Sequence, residues 1–515
     1  MRHGHPKQPS AFRRTGGAIL GVTLVALGHK VAQRPQRQHG RNRSWLQRRS
    51  RPDSEVDVVV IGSGFGGLAC AGLLARSGRK VLVCESHTQP GGVAHSFKRQ
   101  GYEFDSGPSL LSGCSSPSSP NPVRHLLNVL EEDCDWVTYP GWRMVTPEGN
   151  FDFEVGNEQK WMQILKDFGG PTAPQEWQRL LDLAKPLGEI SKGVPAAALR
   201  GDLGAVQTLQ RYFSRLPPLL LNGLKFQAPF SDLLSEAGVQ DRFLKKWLDY
   251  LCFVLQALPA DGHPSAPVAY MMSDMYTSGA VLDYPKGGMG ALIDAMVRGL
   301  EKHGGVLRYK AHVDQILVSE GQAQGVQLKG GEQIWAREAV VSNASIWDTE
   351  RLLPEGCPWP KRKPPECGSF MHLHLGLKAE AVPDDAPLHY SVIRDWEEPI
   401  DATGNVVIIS VPSVVNPKLA PAGRHCLHAY LAATEPFEIW KDLDRKSPEY
   451  AQFKRERAQP LFEAVERAVP GACGHIDMEL IGSPLTHARF NRRHAGTYGP
   501  LMPAEAGMLP GASTP

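Results

Sequence analysis

The sequence predicts an α/β fold in which a parallel-sheet domain is interrupted by a region of mixed helices and strands. Three observations predict it. Residues 57–61 (DVVVI) form a continuous β-branched run, the pattern of a strand buried on both faces. Directly after it stand Gly62-Ser63-Gly64-Phe65-Gly66-Gly67, a stretch at 68–77 with apolar side chains at helical spacing, and a second apolar strand at 80–84 that ends on Glu85. Between 151 and 264 the pattern shifts to amphipathic helices with many prolines and tryptophans. At 515 residues with 42% hydrophobic side chains, the chain can bury a large core and form two intergrown domains.

Each part of the first unit has a physical duty. Gly62 permits the tight turn from strand to helix, Gly64 lets the backbone approach a pyrophosphate, and Gly67 allows the helix to pack close on the strand. The helix start then offers unpaired N–H groups and a positive partial charge to phosphates. Glu85, 23 positions beyond Gly62, can accept hydrogen bonds from both ribose hydroxyls. A 2′-phosphate would be repelled there, so FAD or NAD fits better than NADP. Glycines alone are weak evidence and could mark only a turn, but strand, glycines, helix, strand and terminal acid occur here in order.

Gln89-Pro90-Gly91-Gly92 follows the ribose acid closely, and a Gly-Gly turn there gives backbone donors access to a diphosphate or to the flavin edge. Next comes Gly101-Tyr102-Glu103-Phe104-Asp105-Ser106-Gly107-Pro108-Ser109. The set GSGFGGL, PGG and YEFDSGPSLL resembles the phytoene desaturase and carotenoid isomerase branch of the FAD-dependent amine-oxidase-like superfamily. The resemblance continues almost to the end of the chain. Tyr284-Pro285-Lys286-Gly287-Gly288-Met289-Gly290-Ala291-Leu292 looks like that family's second glycine motif. Residues 311–317 resemble the strand whose valine backbone meets the adenine, which gives Val313 that role, and Val340-Val341-Ser342-Asn343-Ala344 resembles the return to the flavin domain. Residues 370–376, 482–487 and 496–500 look like the plastid and cyanobacterial isomerase-like subgroup.

The resemblance implies a Rossmann-like FAD-binding domain with an inserted α+β substrate domain. It implies FAD held by Gly62, Ser63, Gly64, Phe65, Gly66, Gly67, Glu85, Ser86, Gly91, Gly92, Ser106, Gly107, Pro108, Ser109 and Val313; no catalytic residue is assigned. The expected division is a leader at 1–52, flavin-domain segments at 53–150 and 281–345, a mostly helical substrate region at 151–280, substrate sheet and helices at 346–480, and a return to the flavin domain at 481–515. Members of the family close with a further Gly-Asp segment around the flavin ribityl and diphosphate; the chain stops at 510–515 where that segment should begin, so a truncated flavin domain is expected.

The implied activity is cis-to-trans isomerisation of a carotene by reduced FAD, with no net redox change. Desaturation by oxidised FAD, or saturation as in retinol-saturase-like relatives, uses nearly the same parts, and a flavin-free membrane scaffold is a reading of another class. A conjugated polyene offers almost no polar handle, so it must be recognised by shape and apolar contact.

Other features carry plainer expectations. His372 and His374 alternate along an apparent strand and share one face, which could suggest a metal site. No carboxylate or third ligand stands at a fixed spacing from them, so they read as ordinary strand histidines and no metal is expected. Glu103 and Asp105 share a face only if their segment is extended, and neither is assigned proton transfer. Residues 241–257 read as a helix with Phe243, Trp247, Tyr250, Leu251 and Val254 on one face and Asp241, Arg242, Lys245, Lys246 and Asp249 on the other. The apolar and basic mixture at 211–230 suits a surface helix dipping into lipid headgroups or an interdomain packing helix. Peripheral membrane contact would agree with a greasy substrate.

Residues 1–52 carry twelve Lys or Arg and no Asp or Glu. Their apolar stretch at 16–28 is too short to span a bilayer, and the composition is that of an organelle transit peptide, a plastid one given the resemblance; the plainer reading is a disordered basic tail. The remainder is acidic and gives nucleic-acid binding no support. Nine scattered cysteines without a CxxC pair argue for reduced, mostly buried thiols and against a disulfide framework or structural zinc, with Cys84 and Cys252 as small core residues.

Overall fold

A computed structural model describes residues 55–107, 109–193, 225–358 and 363–504. The leader at 1–52, Pro108, residues 211–224 of the expected lipid-facing or interdomain helix and the C-terminal residues 505–515 lie outside the described residues.

The β-branched run forms β1 (Glu55–Ile61), flanked by β2 (Val81–Cys84) on one side and β13 (Gln333–Ser342) on the other, both parallel to it. With β10 (Val306–Arg308), β11 (Val313–Ser319) and β12 (Gln322–Leu328) they make a six-stranded sheet ordered β10-β2-β1-β13-β12-β11. Alternation along β1 sends Val58 and Val60 to one face and Val59 and Ile61 to the other, and both faces are covered. The first face packs on α1 (Phe65–Arg76), α2 (Pro122–Leu130) and α8 (Met289–Lys302) through Leu68, Leu127 and Leu292. The second face packs on Ala311, Val313 and Ile316.

A seven-stranded sheet is ordered β18-β14-β17-β16-β15-β7-β8. Its strands are β7 (Gly141–Thr146), β8 (Gly149–Glu154), β14 (Ser369–Lys378), β15 (His389–Ile393), β16 (Val406–Ser410), β17 (Arg424–Glu435) and β18 (Ile476–Gly482). The border expected at residue 150 falls inside the β7–β8 hairpin, which hydrogen bonds wholly within this sheet. One face carries Met371, Leu373, Leu375, Leu427 and Leu431 onto α10 (Pro448–Arg457) and α11 (Gln459–Ala468). The other carries Phe370, Cys426 and Tyr430 into a core shared with α3 (Glu158–Phe168), α4 (Ala173–Gly193), α5 (Phe230–Glu236), α6 (Arg242–Gln256) and α7 (Ser265–Met275). Aromatic rings dominate that core: Trp161, Trp177, Trp247 and Phe153 are fully buried, and Trp247 donates its Nε1–H to Tyr276 Oη at 2.8 Å.

Within α6 the expected stripe needs two corrections. Trp247, Tyr250 and Leu251 are buried, but Val254 is 39% exposed: the buried face of the last turn runs through Cys252 and Phe253, and Val254 lies at its margin just before the left-handed cap at Ala257. Asp249, expected on the wet face, is half-buried; it accepts the Ala260 N–H at 2.9 Å, and burial pushes its carboxyl upward. All nine cysteines are free; Cys84 and Cys252 are buried core residues, and burial raises the Cys84 thiol to about 12. Among the described residues no helix is long and apolar enough to cross a membrane.

Candidate functional site: a glycine cradle beside a histidine-bearing sheet

At the carboxyl end of β1 the chain turns through Gly62, whose φ of +89° suits a residue without Cβ, and enters α1. A Cβ on Gly67 would lie 2.2 Å from the Gly62 carbonyl oxygen, so only glycine allows this helix to sit against this turn. The start of α1 carries no side-chain cap and no acid in its first turn. Its leading N–H groups, those of Phe65 and Gly66 among them, therefore have no partner in their own helix or from a cap. Phe65 packs on the core beneath the sheet.

Glu85, just past β2, is buried and turned onto this cradle. Its Oε2 accepts from Ser63 N–H at 2.8 Å and from the Ser63 hydroxyl at 2.5 Å. Its Oε1 accepts from His87 N–H at 2.7 Å and from the Ser86 hydroxyl at 3.4 Å. Each carboxylate oxygen has further lone-pair directions, so a sugar hydroxyl can join these bonds. The Glu85 carbonyl accepts from Ala311 N–H at 2.8 Å, which draws the start of β11 alongside. Val313 lies there, buried with Val59, Ile61 and Cys84.

The Gly-Gly turn closes the cradle from the other side. Gly91 N–H donates to the Ser63 carbonyl at 2.9 Å, and a Cβ on Gly92 would lie 3.1 Å from Gly64 Cα. The two glycine segments, 24 or more residues apart in the sequence at their nearest glycines, thus touch backbone to backbone. Ser106 lies behind this turn: its N–H donates to the His95 carbonyl at 3.0 Å, and its hydroxyl donates to the Val93 carbonyl at 3.0 Å. A Cβ on Gly107 would lie 2.5 Å from the Val93 carbonyl oxygen. Ser109 is buried, and Pro108 lies outside the described residues.

Three residues of this neighbourhood were not singled out from the sequence. Asn343 follows β13, whose register places Ser342 opposite Ile61, and its N–H donates to the Ile61 carbonyl at 2.9 Å. Its amide lies over the glycines, so a Cβ on Gly64 would come 2.7 Å from its Nδ2. His95 holds Nδ1 2.6 Å from the Gly92 carbonyl oxygen, which makes Nδ1 the protonated nitrogen. Tyr498 donates its hydroxyl toward the Ser106 carbonyl at 3.3 Å.

Asp105 does something other than catalysis. β4 (Tyr102–Asp105) pairs with β3 (Ser96–Arg99), so the segment is extended and Glu103 and Asp105 do share a face. Glu103 pairs with Lys98 at 3.3 Å. Asp105 is buried and accepts from Ser96 Oγ at 2.7 Å, Tyr284 Oη at 2.8 Å and Met289 N–H at 2.8 Å. Burial pushes its carboxyl upward against the pull of those three donors. The second glycine motif is thereby committed: Tyr284 lies on β9 (Leu282–Pro285), Met289 opens α8, and Gly290 N–H donates to Ser96 Oγ at 2.8 Å. The start of α8 is capped by Asp105 and Ser96 of the β3–β4 hairpin and not left open as that of α1 is.

The histidines of β14 have company that their spacing concealed. Register places His374 opposite His428 of β17, and His372 opposite Tyr430. His372 Nδ1 lies 2.6 Å from His428 Nε2, and the His374 and His428 rings stack at 4.3 Å. No third ligand stands at a fixed spacing from the pair in sequence; in the structure a third imidazole comes from the neighbouring strand, 54 positions past His374. Burial drives His374 down to about 3, and holds His372 and His428 well below the usual imidazole range.

The parts of the cradle are those a dinucleotide needs: glycine turns brought close because they lack Cβ atoms, uncapped α1 amides, and a buried carboxylate at the tip of the neighbouring strand. Comparison with known proteins agrees in family. The chain matches the flavin containing amine oxidoreductase family over residues 65–473. It is 30% identical over 462 residues to prolycopene isomerase 1, chloroplastic, of an Oncidium hybrid cultivar, a match covering 87% of this chain and 76% of that protein. It is 28% identical over 471 residues to the all-trans-retinol 13,14-reductase of Homo sapiens, covering 84% of this chain and 75% of that protein. In fold it is similar to an oxidoreductase from Methanosarcina mazei, with a TM-score of 0.55 at 19% identity over 83% of this chain and 87% of that one. With the glycine cradle in place and the family match running through most of the chain, this protein belongs to the flavin containing amine oxidoreductases and is an FAD-dependent enzyme.

Proposed function

We propose that this chain isomerises a cis-configured carotene to its trans form, using reduced FAD, in the plastid and in peripheral contact with a membrane. The observation that carries the reading is the 30% identity to a chloroplastic prolycopene isomerase across 87% of the chain. In support stands the aromatic core beside the seven-stranded sheet, which suits an apolar substrate.

The residues divide the work. The N–H groups at the start of α1 meet the diphosphate, with Gly62, Ser63, Gly64, Phe65, Gly66 and Gly67 shaping the turn. Glu85 accepts from the ribose, with Ser63, Ser86 and His87 orienting its carboxylate. Gly91 and Gly92 close the turn from the far side, Ser106, Gly107 and Ser109 line the way toward the substrate sheet, and Val313 meets the adenine. When bound, reduced FAD supplies electron or hydride exchange that lowers the order of one double bond and lets it rotate. The protein's task is then to exclude water and hold the polyene straight, which neutral, buried side chains on the sheet do without offering charge.

A second reading is favoured by the 28% identity to a retinol reductase: net saturation of a double bond. Expression in a host that accumulates a poly-cis carotene, followed by chromatography and mass measurement, separates the two. Isomerisation changes retention at constant mass; saturation adds two hydrogens, and desaturation removes two. Unchanged pigment from a soluble, flavin-loaded protein would sink the carotene reading.

A further inference from the structure

His372, His374 and His428 lie on the face of the seven-stranded sheet that looks at the β3–β4 hairpin. Phe97 and Phe104 of that hairpin pack edge-on against His374 at 5.1 and 5.2 Å. The three histidines are 1%, 7% and 3% exposed, and one nitrogen from each lies within 4.8 Å of the others. Imidazole nitrogens bound at ~2.0–2.1 Å stand ~3.3 Å apart across a tetrahedral ion, and the three nitrogens already lie within 4.8 Å of one another. His372 and His428 already bring nitrogens to 2.6 Å.

The surroundings point the same way. His487, from α12 (Pro484–Phe490), packs its ring 4.5 Å from that of His372; it is 6% exposed, and its Nε2 has no hydrogen-bond partner. A buried imidazole nitrogen without a partner is costly unless something occupies it. Tyr498 Oη lies 3.3 Å from His372 Nε2, at the rim of the cluster. The nearest carboxylate on the facing hairpin, Asp105, is committed to Ser96, Tyr284 and Met289 and is not free to pair with an imidazolium. Four imidazole rings thus pack together out of water, and among the described residues none of them forms an ion pair with a carboxylate.

We propose that His372, His374 and His428 form a three-imidazole site for a divalent transition-metal ion of the zinc, cobalt or iron(II) class, with His487 and Tyr498 at its open side. Imidazole ligands select these ions over magnesium or calcium. Three protein ligands leave one coordination position free, the arrangement of zinc sites that bind water or a substrate atom. Tyr498 touches both His372 and the Ser106 carbonyl, so this position lies next to the glycine-rich segment and not on the outer surface. The proposal does not rest on the carotene reading or on flavin content.

Because the cluster is buried, the test loads metal during folding. Untagged full-length protein is expressed with Co(II) supplied in place of zinc, desalted, and assayed by elemental analysis and visible absorption. The expected result is about one cobalt per chain with the ligand-field bands of a four-coordinate ion. His374→Gln and His428→Gln should each lower bound cobalt roughly tenfold or more. His389→Gln alters another buried histidine of the same sheet, one that sits outside the cluster and bonds Ser410 Oγ, and should keep the metal. Circular dichroism checks that each variant is folded, and wild type refolded from its metal-free, denatured form with zinc present should have a higher Tm than the same protein refolded without it, whether or not the variants behave. A folded wild type without cobalt, or equal cobalt in His428→Gln, overturns the proposal, and flavin-free protein that still holds cobalt supports it.

Discussion

The two halves of the candidate site present opposite relations between sequence and structure. The cradle is built from segments contiguous in sequence, and its logic is backbone logic: glycines where Cβ atoms would collide, a helix start left uncapped, an acid at the next strand tip. The histidine face is built from strands β14 and β17 and from helix α12, and its logic is register. A turn of given geometry needs particular residues at particular spacings, so it writes itself into the chain. A cross-strand pair needs only that two strands align, and nothing near either residue records the partner.

The largest effect that can break this comparison is expected at Gly67. A Cβ there would meet the Gly62 carbonyl oxygen at 2.2 Å, and backbone cannot swing aside as a long side chain can. Gly67→Val should cost on the order of 4 kcal/mol in stability and abolish flavin content, read as flavin absorbance per protein and as Tm. A yellow, stable Gly67→Val protein would mean that helix and turn are not held as closely as the cradle requires. Next in size is Asp105→Ala, which joins the two regions. It strands the Tyr284 hydroxyl and the Met289 N–H inside the protein, and should cost about 3 kcal/mol in a denaturant titration. Asp105→Asn keeps an acceptor and should recover part of that loss; equal losses would show that the charge, and not the hydrogen bonds, holds the second glycine motif in place.

These cases show what could be read from residues alone. The strand at 57–61, the helix behind it, Glu85 and the Gly-Gly turn all declare themselves through period, punctuation and spacing, because each is specified within about 30 residues. Asn343 escaped because its place over the glycines depends on β13 pairing with β1 across some 280 residues of chain. Asp105 was visible, but its role as a cap for α8 was not, since helix capping from a distant segment leaves no local pattern. His428 escaped for the same reason as Asn343. The division at residue 150 failed to see that β7 and β8 belong to the larger sheet, because a hairpin's own sequence does not name the strand that β7 will lie beside.

A smaller effect separates binding from folding within the cradle. Glu85 accepts from Ser63 through both N–H and hydroxyl, so Glu85→Gln keeps an oxygen for one donor and loses the charge offered to a sugar. Flavin affinity should fall roughly tenfold, with Tm of the flavin-free protein lowered by much less than in Asp105→Ala. Affinity is read by fluorescence titration of the flavin-free protein. Unchanged affinity would place the ribose elsewhere and break the reading of the β2 tip as its partner.

The smallest expected effect lies in α6, where helical periodicity and burial part company. Periodicity alone puts Val254 on the stripe of Trp247, Tyr250 and Leu251, yet Val254 is 39% exposed while those three are buried. The helix ends two residues later, at Gln256, where Ala257 takes φ +58° to turn the chain away, and Cys252 and Phe253 carry the buried face up to that end and leave Val254 at its margin. Val254→Glu should therefore change stability by no more than about 0.5 kcal/mol in a denaturant titration, the ordinary range for a surface position. A loss of about 2 kcal/mol or more would restore Val254 to the core and show that the stripe, and not the end of the helix, decides what is buried there.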